Sequence, residues 1–231
     1  MNVGDKIKNT LWKRRRAVSD LDIVIVVLIL VIIFVFTQST KTPKVAYDNP
    51  TLTGIDVSKD PEQSVCYFCD PLKITVKNIN YTLTPVANYK ICGMVLAKNT
   101  FFLIDGGADV APIDVGLAWG KMAEPEYDKY MSYSSSNRFL QWNYKRDFPF
   151  SYDFLNSHVS HNHIIPADEN ILRAVNSFKN KENACMEGYL VNLRSSNNFI
   201  WNTSISRFDR EAGACELFYV KKVRIGNNFY E

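Results

Sequence analysis

The chain has 231 residues, of which 46% are apolar and 22% are charged. These proportions are typical of a folded protein and argue against wholesale disorder. The formal net charge of +3 originates in residues 1–22, which hold six basic and three acidic side chains. The rest of the chain has 21 side chains of each sign. Composition therefore gives the folded part no basis for nucleic-acid binding.

A membrane anchor is predicted near the N-terminus. Residues 23–36 contain no polar side chain, and extension to 21–38 gives about 18 residues, roughly 27 Å as a helix. We expect an uncleaved anchor instead of a signal peptide, because a long basic region precedes the segment and no Ala-x-Ala site follows it. The basic run Lys13-Arg14-Arg15-Arg16 places the N-terminus in the cytoplasm by the positive-inside rule.

The predicted organisation therefore has four parts. A cytoplasmic basic tail (1–20) and a transmembrane helix (21–38) are followed by a proline-rich stalk or lead-in (39–72). A globular extracytoplasmic domain (73–231) completes the chain. Localisation is the cytoplasmic membrane, with a single pass and the outer domain outside.

Strand patterns dominate the outer domain. Apolar residues alternate over 74–83 with a slip at Lys77-Asn78 that indicates a bulge or tight turn. Residues 89–97 are apolar on both faces and predict a central strand, which Lys98-Asn99 could turn into 101–104. Further strands are predicted at 113–119, 139–144, 186–193, 199–206 and 216–225.

One helix is clear, over about 168–180. Pro166 precedes it, Asp168 suits its positive end, and an apolar stripe predicts core packing. Many short strands with one good helix predict an α+β domain, mostly antiparallel and barrel-like. The last strand, 216–225, is expected inside the sheet, paired through a turn at Gly213 with the strand at 201–206.

Several segments resemble an uncharacterised family of short, membrane-anchored bacterial and archaeal envelope proteins. They are Trp119-Gly120, Ser136-Asn137-Arg138, SHNHIIPADE (160–169), residues 187–190 and the block SISRFDREAGACELFYVKKVRI (204–225). The resemblance spans about two thirds of the chain. It implies one domain that ends near the C-terminus, usually with an anchor, and it transfers no catalytic residues.

All three histidines fall in the segment HVSHNH, as His158, His161 and His163. In a strand, His161 and His163 share a face, as two metal ligands would. Asp153, Asp168 or Glu169 could supply a further ligand. The alternatives are acid–base catalysis, or one buried histidine with the others on the surface.

A second charged group lies at Arg207, Asp209 and Glu216. One interpretation is an arginine-lined site for a phosphate or carboxylate ligand. The other is a hairpin whose charges pair with one another.

Five cysteines are present, an odd number, and thiols outside the cytoplasm tend to oxidise. Cys66 and Cys69 are candidates for a local disulfide, or for one with another cysteine. Their Cys-x-x-Cys spacing lacks the strand and helix of a thioredoxin-like motif. Cys92, Cys185 and Cys215 are interpreted as buried thiols.

The sequence favours a membrane-anchored envelope protein that acts as a binding or assembly module and has no catalytic residues. Its partners would be the bilayer and a protein partner or a second copy, without nucleic acid. No cofactor is identified. The alternative is an anchored hydrolase or metal-dependent enzyme that uses the histidine cluster. The enzyme requires the histidines and the charged group to converge in one pocket.

Overall fold

The computed structural model describes residues 20–39, 41–49, 54–101, 107–209 and 214–231. The chain divides into two compact units, Met1–Thr42 and Pro43–Glu231. The basic tail lies outside the described residues. The second unit begins well before Lys73, so the predicted lead-in is wrong in extent: residues 62–65 already form a strand that pairs with the main sheet.

Helix α1 (Asp20–Ser39) is the element described in the first unit. Its apolar side chains from Leu21 to Ile33 are between 46% and 67% exposed. No helix in the described part of the chain combines the length and the apolarity that a membrane crossing requires.

The second unit is a β-rich α+β fold with mostly antiparallel pairing, as the sequence predicts. Its helices are α2 (Pro125–Asp128), α3 (Tyr152–Ser157) and α4 (Glu169–Asn176). Its strands in chain order are β1 (Tyr47–Asp48), β2 (Glu62–Val65), β3 (Leu72–Val76), β4 (Ile79–Thr100), β5 (Ile113–Ala118), β6 (Met131–Ser136), β7 (Phe139–Tyr144), β8 (Val159–Pro166), β9 (Asn183–Ser195), β10 (Ile200–Trp201), β11 (Glu216–Ile225) and β12 (Asn228–Tyr230).

Five of these strands close a ring through their backbone pairing. The order is β4–β5–β8–β11–β9 and back to β4. Only the β8–β11 pair is parallel. Strand β11 therefore has a partner on each side, and its predicted interior position is confirmed. The predicted pairing with 201–206 is wrong, because β8 and β9 occupy both edges of β11.

The slip at Lys77-Asn78 is a two-residue turn between β3 and β4. Lys77 has φ 47° and Asn78 has φ 67°. Positive φ at both central residues is the hairpin geometry that matches the twist of the strands. The predicted turn at Lys98-Asn99 is wrong, because these residues continue β4 and pair with Val115 and Asp114.

Helix α4 packs on the main core. The Asp168 side chain accepts a hydrogen bond from the Ile171 amide and caps the helix. Ile171, Val175 and Phe178 are buried against the inward-facing side chains of the ring. The helix ends at Asn176, four residues before the predicted end.

Strand β10 is shorter than the predicted strand at 199–206. Side chains satisfy the backbone beyond Trp201 in place of a ladder. The Thr203 amide donates to Asn192 Oδ1, and the Thr203 hydroxyl accepts from the Leu217 amide. This arrangement sends the chain away from β9 and toward the start of β11.

Candidate metal centre

His161 and His163 lie on one face of β8, which pairs antiparallel with β5. In this register His163 stands opposite Asp114, and His161 stands opposite Gly116. Both imidazoles are buried, with 7% and 4% exposure. The interpretation with one buried histidine and the others at the surface therefore does not describe this pair.

A buried carboxylate lies behind both imidazoles. Asp114 Oδ1 accepts a hydrogen bond from His163 Nδ1 at 2.8 Å, and Asp114 Oδ2 is 3.8 Å from His161 Nε2. Arg138, on the β6–β7 turn, donates to Asp114 Oδ1 at 2.9 Å. A buried carboxylate needs such a cation and hydrogen bonds to remain ionised. Asp114 thereby fixes which ring nitrogen of His163 carries the proton.

Cys215 completes the group on the other side of the imidazoles. Its Sγ is 3.3 Å from His161 Nδ1. The backbone carbonyl of Cys215 accepts from the Ser204 amide, which holds the residue just before β11. One ligand atom from each of His161, His163 and Cys215 lies within 4.8 Å of the other two. We refer to these three residues as the His–Cys cluster.

Burial sets the charge of the cluster. Desolvation lowers the pKa of His161 to about 4, against the opposing attraction of Asp114. Desolvation also raises the pKa of the Cys215 thiol to about 12, with further contributions from Glu216 and Asp114. At neutral pH the imidazole of His161 keeps a lone pair and Cys215 is a thiol. Neutral imidazole is the form of histidine that ligates metals.

Part of the cluster lines a cavity of about 240 Å³. His161, Cys215 and Glu216 are among its lining residues, whereas His163 is not. Arg207 and Asp209 line the same cavity, so the structure brings the predicted charged group together with His161 and Cys215.

Glu216 is buried, and desolvation raises the pKa of its carboxyl to about 8. Arg207 lies close enough to oppose this shift, and Asp209 adds to it. Arg207 donates to the Pro61 carbonyl at 2.6 Å, while the Asp209 carboxylate accepts from the Ser204 hydroxyl at 2.6 Å. Backbone and hydroxyl partners therefore hold these two charges, in place of the paired hairpin that the sequence left open.

His158 lies apart from the cluster. It is the C-terminal cap residue of α3, and its ring stacks on Phe154 with a centroid distance of 4.0 Å. The candidate carboxylate ligands also have other roles. Asp168 caps α4, Glu169 pairs with Arg173 at 3.2 Å, and Asp153 lies in the first turn of α3. The third potential ligand is Cys215.

Four of the five cysteines form disulfides. Cys66 is bonded to Cys69, and Cys92 to Cys185. The interpretation of Cys92 and Cys185 as thiols is wrong, because they stand directly opposite each other in the β4–β9 register. Cys215 remains a thiol.

Sequence reasoning missed Asp114 and Arg138. Asp114 is the only charged residue in the otherwise apolar segment IDVGLA, and such a residue in a buried strand needs a partner. That signal could have identified Asp114. Arg138 gave no comparable signal, since it lies among polar residues of a hairpin turn.

Comparison of this chain with protein-family models, curated proteins and solved structures finds no match.

Proposed function

We propose that the outer domain is a zinc-dependent hydrolase whose metal is held by the His–Cys cluster. The observation that carries this proposal is the convergence of three ligand atoms within 4.8 Å, two of which belong to residues, His161 and Cys215, that line one cavity with Arg207 and Asp209. Convergence in one pocket is the criterion that separates the enzyme alternative from the binding module.

The donor set favours zinc. Two imidazoles and one cysteine sulfur, which loses its thiol proton when it binds a metal, suit a borderline-soft ion, whereas magnesium and calcium prefer oxygen ligands. Ligands at about 2.0–2.3 Å around a tetrahedral ion lie roughly 3.3–3.8 Å apart. The 3.3 Å separation of His161 Nδ1 and Cys215 Sγ fits this spacing, and the three ligand atoms, which lie within 4.8 Å of one another, would draw together around the ion. Three protein ligands leave a fourth position for water, which is the pattern of catalytic zinc sites.

Asp114 has the role of the outer carboxylate in such a site. Histidine ligands commonly donate their second N–H to a carboxylate, which fixes the ring and raises its basicity. In this domain Asp114 accepts from His163 Nδ1 at 2.8 Å, and its other oxygen lies 3.8 Å from His161 Nε2 without a hydrogen bond. A bound zinc ion would lower the pKa of its water toward neutrality and polarise a substrate carbonyl. Arg207 is placed to hold an anionic or carbonyl oxygen of the substrate.

The test measures metal content in the full-length chain purified in detergent. We expect about one zinc ion per chain, lost in His161→Ala, His163→Ala and Cys215→Ser and retained in the matched control His158→Ala. Hydrolysis of p-nitrophenyl acetate should disappear on chelation and return with zinc. A wild-type chain that retains no added zinc would refute the metal centre. Activity that survives chelation but disappears in Cys215→Ser would indicate a thiol nucleophile in its place.

A binding or assembly module is the second candidate. Three large side chains are strongly exposed: Tyr67 at 80%, Phe68 at 100% and Phe208 at 78%. Exposed aromatic groups are frequent at protein–protein contacts. A protein partner or a second copy would cover them, and cross-linking in membranes would detect either.

The cellular location of the protein is part of the same proposal. Helix α1 carries exposed apolar side chains from Leu21 to Ile33, which favours apolar surroundings. Two disulfides are typical of compartments outside the cytoplasm. We therefore propose a single-pass anchor with the N-terminus inside, a barrel-like outer domain, and membership of the envelope-protein family that the sequence resembles. Reporter fusions at the C-terminus test this topology, and a reporter active only in the cytoplasm would refute it.

A further inference from the structure

The cavity beside the His–Cys cluster has a wall of aromatic rings. Phe139 and Trp142 come from β7, and Tyr152 comes from α3. The rings of Trp142 and Tyr152 have their centroids 6.3 Å apart. Phe139 is 46% exposed and Tyr152 is 44% exposed, so their faces are open to a ligand. We call these three residues the aromatic wall.

The cavity also has polar lining residues. Asn156, Arg207 and Asp209 present an amide, a guanidinium and a carboxylate. The Nε of Arg207 is buried without a hydrogen-bond partner. A cavity that combines aromatic rings with mixed donors and acceptors matches a sugar ring. The C–H-bearing face of the sugar packs on electron-rich aromatic faces, and its hydroxyls both donate and accept.

The position of the cavity in the ring is a separate argument. Numbered along the chain, the five ring strands pair in the order 1-2-3-5-4, with the parallel pair between the third and fifth. This is the strand order of OB folds, which bind oligosaccharides and oligonucleotides on the face of strands 2 and 3 and on the adjoining loops. The described residues that line the cavity include part of the third ring strand, β8, and residues within 206–209 and 214–215 from the connection between the fourth and fifth.

The charge of the cavity favours an oligosaccharide over an oligonucleotide as its ligand. The chain beyond residue 22 has 21 basic and 21 acidic side chains. Among the described residues that line the cavity, Arg207 is the only permanent cation, and the Asp209 carboxylate balances its charge. Phosphate backbones are bound by an excess of lysine and arginine, which the described lining lacks.

We infer that this cavity binds one ring of an oligosaccharide chain, stacked on the aromatic wall, and that a glycan with an ester or amide carbonyl is the substrate class of the hydrolase, whose C–O or C–N acyl bond water would break. The inference rests on the proposed function for the metal beside the cavity. Sugar binding itself requires only the aromatic wall and the polar lining residues, so it can be measured without the metal.

The experiment titrates full-length protein in detergent, stripped of metal, with tetramers of N-acetylglucosamine and of glucose and with an oligothymidylate. Isothermal titration calorimetry reports binding, since this readout does not depend on the tryptophan that Trp142→Ala removes. We expect at least one sugar tetramer to bind, and Trp142→Ala to weaken it tenfold or more. Tyr152→Ala and Phe139→Ala, at more exposed positions, should also weaken it. Tyr144→Ala is the matched control, because Tyr144 is 51% exposed on the same strand but does not line the cavity. It should change the affinity less than twofold.

His163→Ala separates the two proposals, because His163 belongs to the His–Cys cluster but does not line the cavity. It should abolish zinc binding and leave sugar affinity within about threefold. A wild-type chain that binds sugar but does not bind zinc would refute the proposed function alone. No binding of either sugar tetramer at millimolar concentration would overturn the glycan inference, as would full affinity in folded Trp142→Ala and Tyr152→Ala. Tighter binding of oligothymidylate than of sugar would overturn it in favour of nucleic acid.

Discussion

Cysteine residues have different chemical states in two parts of the ring of strands. On β4 and β9, Cys92 and Cys185 are register partners and form a disulfide. At the start of β11, Cys215 meets an imidazole at 3.3 Å and remains a thiol. We call the first part the disulfide seam.

The neighbours of each cysteine indicate its role. A cysteine opposite another cysteine can crosslink the sheet and restrict the unfolded chain. A cysteine opposite two buried histidines and a carboxylate cannot crosslink, and its surroundings match a ligand site. The seam should therefore govern stability, and the His–Cys cluster should govern metal binding.

The largest expected effect is removal of the seam. The bond joins residues 93 apart in sequence, and closing a loop of that size stabilises a fold by about 4–5 kcal/mol in the chain-entropy model. Cys92→Ala combined with Cys185→Ala should lower the free energy of unfolding by that amount in denaturant titration. Zinc content of the folded fraction should not change. Loss of zinc from folded protein would show that the two parts are not independent.

Replacement of Asp114 should come next, at about 4 kcal/mol. Asp114→Ala removes the buried carboxylate that accepts from both Arg138 and His163, and loss of one partner of a buried pair costs about 3–5 kcal/mol. Asp114→Asn is the matched control, because it keeps the size and one acceptor oxygen, and it should cost less. Thermal and denaturant unfolding of the metal-free proteins measure both changes. Equal stability of Asp114→Ala and wild type would mean that the carboxylate does not hold the cluster in place.

The sequence predicted the local part of this cluster and missed the part made by distant strands. The i, i+2 spacing of His161 and His163 was enough to put both imidazoles on one side of a strand. Their partners Asp114 and Cys215 are about 50 residues away in opposite directions. Only the pairing of β5 with β8, and the path of the chain into β11, brings them together.

The same division applies to the fold. The turn at Lys77-Asn78, the helix capped by Asp168 and the interior strand β11 follow from local periodicity and composition. The continuation of β4 through Lys98-Asn99 does not, because polar residues stay in a strand when neighbours on β5 complete their ladder. The register that joins Cys92 to Cys185 likewise depends on which strands become neighbours.

Glu216 should make the free energy of unfolding depend on pH, and we expect a change of roughly 3 kcal/mol. Its folded pKa of about 8 lies above the ordinary value of 4.5, so the folded state holds a proton that the unfolded state loses between these values. The stability from this group is complete below about pH 4.5 and declines as the pH rises toward 8. Each pH unit in that window changes stability by about 1.4 kcal/mol.

Glu216→Gln removes this titration and keeps the shape of the side chain. Metal-free wild type should therefore lose about 3 kcal/mol relative to Glu216→Gln between pH 5 and pH 8. His161 titrates in both proteins, so its opposite effect at acid pH cancels in the difference. Denaturant unfolding at both pH values gives the result. A difference that stays constant with pH would show that Glu216 is ionised in the folded protein.

The smallest expected effect is removal of the Cys66–Cys69 disulfide. This bond closes a loop of only three residues' separation, against 93 for the seam. In the chain-entropy model a loop this short contributes about 2 kcal/mol, less than half the contribution of the seam. Cys66→Ala with Cys69→Ala should therefore lower the free energy of unfolding by no more than about 2 kcal/mol. It should also leave zinc content unchanged. Thiol labelling with and without reductant checks the starting state, in which Cys215 alone should react without reductant after denaturation. If removal of the Cys66–Cys69 bond lowers the free energy of unfolding as much as removal of the seam does, the size of the closed loop does not determine how much each disulfide contributes.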